Sequence, residues 1–115
     1  MMLSTVQILK NVKNILKSEQ KWAKGNRAQD MTGTKVNVHH KDASKFCILG
    51  AIHRVMYEDG FYFGTDVQAH ETPAAFRIRK VLKENDYYVD IARFNDKANH
   101  GELMEVLDLA IASRS

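Results

Sequence analysis

Phe46-Cys47-Ile48-Leu49-Gly50-Ala51-Ile52 is the longest uninterrupted apolar run in the chain, and its reading decides the fold. Continued through Val55 to Met56, the segment is apolar on nearly every side of a helix, the pattern of an element surrounded by others. It predicts a central helix, with Asp42 placed to cap it by accepting a bond from a free amide of its first turn. Gly50 costs such a helix about 1 kcal/mol relative to alanine, so its place beside Ala51 points to a close crossing by a neighbouring helix. Cys47 is the only cysteine; a helical apolar run makes it a small buried hydrophobe, and redox chemistry is not expected of it. The run is far too short to cross a bilayer.

Outward from this centre, Ser4 and Gln7 have capping-box spacing ahead of Val6, Leu9, Val12 and Leu16, which predicts a first helix from about Thr5 to near Lys24, stopped by Gly25. Residues 26–41 contain the turn signal Asp30-Met31-Thr32-Gly33-Thr34 and a short strand candidate, Val36-Asn37-Val38, so a loop or small β-hairpin is expected there. Glu58-Asp59-Gly60 should break the central helix, and Phe61-Tyr62-Phe63-Gly64 reads as an aromatic loop folded back onto the core. Thr72-Pro73 opens a helix to about Glu84, and Val89 to Phe94 fits a short helix broken at Asn95-Asp96. Asn99 and Glu102 form a second capping box before the stripe Leu103, Val106, Leu107, Ala110 and Ile111. The expected architecture is mainly α: one domain over 1–115, a compact bundle of about four to five helices around the central apolar helix.

The two halves differ in charge. Residues 1–54 hold ten Lys or Arg against three acids, a balance of +7; residues 55–115 hold seven against eleven, a balance of −4, which restores the overall +3. Such asymmetry serves either an acidic partner for the basic half or attraction between the halves on folding. On a continuous first helix, Lys10, Lys13, Lys17, Lys21 and Lys24 fall within an arc of roughly 80°, a basic stripe with Trp22 at its flank. A solvated face is the plain explanation; a surface for phosphates or an acidic partner is the functional one, with the indole as anchor or base platform.

Catalytic signatures are sparse. His39, His40, Cys47 and His53 lack the tight local spacing of a zinc site, and neither a metal nor a cofactor is expected. Cys47 and His53, six residues apart, would lie about 240° apart around a helix, which removes a nucleophile–base pair. Glu102, Glu105 and Asp108 suit the exposed side and first turn of the last helix. Phe94-Asn95-Asp96 reads as a structural motif in which short polar side chains cap the next helix and pin the turn.

Trp22-Ala23-Lys24-Gly25, the segment 28–33, Phe46 to Ile52 with Cys47 and Gly50, Phe94-Asn95-Asp96 and the ending Glu105 to Ile111 together resemble a family of small bacterial and phage domains of unknown function. Similar proteins usually carry tryptophan where this chain has Phe94 and an arginine-threonine pair where it has Asn99-His100. The resemblance implies a compact helical domain and a bacterial or phage origin, and brings no activity with it. The sequence thus points to a cytoplasmic, non-membrane, non-catalytic binding protein with a protein partner, of the kind a phage accessory protein uses to engage a host protein or inhibit a host defence system. Two alternatives stand beside it: a nucleic-acid-binding module using the lysine face, and a small hydrolase or metal enzyme using His39, His40 and Cys47.

Overall fold

The computed structural model describes residues 3–60 and 71–113. Helix α1, Thr5–Leu16, starts where the Ser4 hydroxyl accepts a hydrogen bond from Gln7 N, and it buries Ile8, Leu9, Val12 and Leu16 on one face. It stops eight residues before Lys24. The apolar stripe ends at Leu16, and the positions three and four further on are Glu19 and Gln20, which have nothing to gain from the core. Glu19–Lys21 instead form a single 3-10 turn, after which the chain is extended: Ala23 N donates to Phe46 O at 2.9 Å, and Trp22 bridges to Phe46 in parallel.

Strand β1, Ala28–Gln29, pairs antiparallel with β2, Lys45–Phe46, in the register Ala28 to Phe46 and Gln29 to Lys45. The expected strand at Val36-Asn37-Val38 is reduced to flanking contacts, Val36 N on Ala28 O and a bridge between Lys35 and Gln29. The turn between them is tight: the Asp30 carboxylate accepts from the Thr32 and Thr34 amides and from the Thr32 hydroxyl.

The central helix α2, Ile48–Glu58, begins two residues later than the apolar run. Phe46 is claimed by the strand pairing, and Cys47, not Asp42, is the cap; its sulfur accepts from Gly50 N at 3.3 Å. Gly50 does mark a close approach, but to a loop instead of a helix. A Cβ at this position would lie 1.9 Å from the carbonyl oxygen of Arg27.

Helix α3, Pro73–Glu84, is capped by Thr72 with proline at its start, as the sequence predicts. Helix α4, Ile91–Lys97, is capped by Asp90 and runs through Asn95 and Asp96, so these two residues lie within a helix and not at a break. Helix α5, His100–Ala112, carries the complete Asn99–Glu102 capping box and buries Leu103, Val106, Leu107 and Ala110. Among the described residues the fold is therefore five α-helices with a small two-stranded antiparallel sheet. Helix α1 packs on α2, α5 and α3, α3 on α5, and α2 on α4, and their buried faces join in one hydrophobic cluster. The aromatic stretch Phe61 to Gly64 lies outside the described residues.

Candidate functional site

The sequence motifs meet at one side chain. Asn95, 1% exposed, projects from α4 and uses all four bonding positions of its amide. Its Oδ1 accepts from Trp22 Nε1 at 2.7 Å and from Ile48 N, the first amide of α2, at 3.0 Å; its Nδ2 donates to Ala23 O at 2.9 Å and to Asp96 Oδ1 at 3.1 Å. The cap expected for a following helix thus serves a helix 47 residues earlier. Asp96 completes the join by accepting from Gly25 N at 2.9 Å, and Gly25 takes the left-handed conformation, φ +83°, that the bend requires.

Trp22 is accordingly a structural residue whose N–H is spent inside the molecule. Lys24 lies with its Nζ 4.7 Å from the centre of the indole and donates to Ala98 O. Lys13 pairs with Asp108 on α5. Lys10, Lys17 and Lys21 are exposed, but Lys21 sits in the 3-10 turn and Lys24 beyond it, so the five lysines do not form one helical stripe. Phe94 is buried edge-on to Tyr87 at 5.0 Å.

On the other side of the same join lies Arg27. Its carbonyl accepts from Cys47 N at 3.2 Å and occupies the space that Gly50 leaves, so the backbone of the 25–27 loop is clamped against the start of α2. Arg27 borders two spaces. A groove of about 510 Å³ runs between the 25–27 and 35–38 segments, with Asn26, Arg27, Lys35 and Asn37 in its walls. A smaller cavity of about 150 Å³ lies toward Cys47, Asn95 and Asp96. Arg27 Nη1 is buried and has no hydrogen-bond partner among the described residues. Burial pushes the Cys47 thiol above its ordinary value, partly offset by the bond from the Gly50 amide and by the charge of Arg27, which keeps it a neutral packing group at pH 7. Sequence reasoning missed Arg27, because a single arginine in an irregular stretch carries no periodic signal.

The histidines are arranged differently from a ligand set. His39 stacks on Tyr57 at 3.9 Å and meets His53 edge-on at 4.7 Å, whereas His40 accepts from Asp42 N. Among the described residues no group of three or more His, Cys, Asp or Glu side chains is placed to hold a metal ion. No helix among them is long and apolar enough to cross a membrane.

Fold and site together define a small helical domain in which a hairpin and a loop are locked to the helices by a buried asparagine. The chain belongs to the family described as a family of unknown function, DUF6197, whose model matches residues 2–113. No curated protein and no solved structure matches it.

Proposed function

We propose that this chain is a non-catalytic binding protein whose basic first half engages an acidic partner. The observation that carries the reading is where the positive charge goes. Of the ten Lys and Arg side chains in residues 1–54, Lys13 and Arg54 alone meet a carboxylate among the described residues, Lys13 with Asp108 and Arg54 with Glu58, which leaves eight without an ion pair. Attraction between the halves therefore does little to account for the asymmetry: the two pairs that cross them lie at the surface and contribute only about 0.2–1 kcal/mol each. Exposed cations left unneutralised create a field that steers an oppositely charged partner.

The cytoplasm of a bacterial or phage-infected cell is the proposed setting, and a host protein, such as a component of a defence system, the proposed partner. Support for that setting is the resemblance of the motifs around Trp22, Cys47 and Asn95 to bacterial and phage domains. Nucleic acid is the second reading, but the indole that would stack on bases already bonds Asn95 and lies beside Lys24.

Affinity capture from a bacterial lysate with the tagged full chain tests the reading. A stoichiometric acidic protein should be retained, released by raised salt, and lost from the variant carrying Lys10→Glu, Lys17→Glu and Lys21→Glu. Recovery of nuclease-sensitive nucleic acid alone, or no partner together with turnover of a metabolite, would overturn it.

A further inference from the structure

The groove beside Arg27 has the features of a site for a particular chemical group. A guanidinium is a planar fork that matches the two oxygens of a carboxylate, and burial strengthens that match because water no longer competes. Arg27 is half-buried, its Nη1 is enclosed without an acceptor, and no carboxylate among the described residues stands within ion-pair distance of it. Buried donors are normally satisfied, so the enclosed and unmatched Nη1 favours a turn of the side chain that carries the fork into the groove, where an acceptor from outside meets it.

The two spaces that Arg27 borders differ in sign. The small cavity includes Asp96, whose charge disfavours an arriving anion. The larger groove has no acid in its walls and adds Lys35, exposed, together with the polar residues Asn26 and Asn37. It also has no aromatic wall residue on which a nucleobase could stack. At the end of the same hairpin arm, the turn braced by Asp30 displays Met31, 83% exposed, an adaptable apolar contact of the kind protein surfaces recognise.

We propose that the groove between residues 25–27 and 35–38 binds an acidic segment of a protein partner, one carboxylate of which is held by Arg27 with Lys35 beside it. This deepens the acidic-partner reading and rests on it. The Asn95 network then has a functional consequence: it fixes the backbone that carries Arg27, so only the side chain has to be ordered when the partner arrives.

Amide-detected NMR of the full 15N-labelled chain, titrated with hexaglutamate, with hexathymidylate, and with sodium chloride at matched ionic strength, tests the proposal. Hexaglutamate should give saturable shifts centred on the amides of 25–27 and 35–38. Arg27→Gln should weaken binding at least tenfold, and Arg27→Lys, which keeps the charge but loses the fork, should weaken it several-fold. Each variant is first checked for the native spectrum; a variant that fails this check is replaced by Lys35→Gln, expected to weaken binding several-fold.

Saturable binding that is lost in the Lys10, Lys17 and Lys21 charge-reversal variant but unchanged by Arg27→Gln would overturn the groove while leaving the acidic-partner reading intact. Stronger saturable binding of hexathymidylate at these amides would overturn the peptide assignment. Absence of saturable shifts at 25–27 and 35–38 would overturn the site.

Discussion

Asn95 shows how much of this molecule depends on one amide. The reverse orientation would set its N–H groups against those of Trp22 and Ile48, so the observed one is the only arrangement in which all four bonds form. Asn95→Ala leaves the Ile48 amide, the Ala23 carbonyl and the indole N–H without their partner, and should lower stability by roughly 2–4 kcal/mol, read from urea unfolding. Gly50→Ala makes a sharper test because helix propensity alone predicts a gain of about 1 kcal/mol. The Arg27 carbonyl stands where the methyl would go, so the account predicts a net loss of about 2 kcal/mol or more in the same assay. Cys47 should react slowly with a thiol reagent in the native state and rapidly in urea, since the buried thiol is held neutral. The glycine's importance was legible in the sequence, while its neighbour was not. A close approach leaves the same mark whether the approaching backbone is helix or loop.

Elements were readable in proportion to how far burial dictated them. Helices α3 and α5 carry both a cap and a sustained apolar stripe, and both lie where those signals place them. Helix α1 ends earlier than its lysine spacing suggests, because lysines three or four apart continue a pattern that costs nothing to break, whereas the apolar stripe that must be buried stops at Leu16. Helix α2 lost its first two residues to strand pairing, a contact with a segment 18 residues earlier that no local pattern announces. The same limit hid the site: Asn95 looked like a local cap, and its partners lie 47 to 73 residues away except for the adjoining Asp96.

The Asp30 turn gives a prediction about pH at this scale. Its carboxyl lies below the ordinary value of 3.8, chiefly through the bond from the Thr32 hydroxyl and with help from backbone amides, partly opposed by desolvation. A carboxyl whose value is lowered on folding stabilises the turn above its unfolded value, and loses that contribution as pH falls through the folded one. The Thr32 and Thr34 amide resonances should therefore keep their native positions at pH 5 and move in a single step centred below 3.8. A midpoint at or above the ordinary value would show that the bracing bonds do not hold the ionised form.

At the scale of the whole molecule, the fold leaves most of the first half's positive charge unspent. Ion pairing across the two halves is represented among the described residues by Lys13 with Asp108 and by Arg54 with Glu58, both pairs at the surface and the second between residues only four apart. On the proposed reading the remaining cations do not hold the chain together, and their charge is what an acidic partner would meet. The measurement that bears most directly on this is the unfolding free energy of the wild type and of the Lys10→Glu, Lys17→Glu, Lys21→Glu variant, compared in urea at low and at moderate salt. The account predicts equal or greater stability for the variant at low salt, with the difference shrinking as salt rises. A loss of more than about 1 kcal/mol at low salt would contradict it, because the lysines would then be holding the fold and not waiting for a partner.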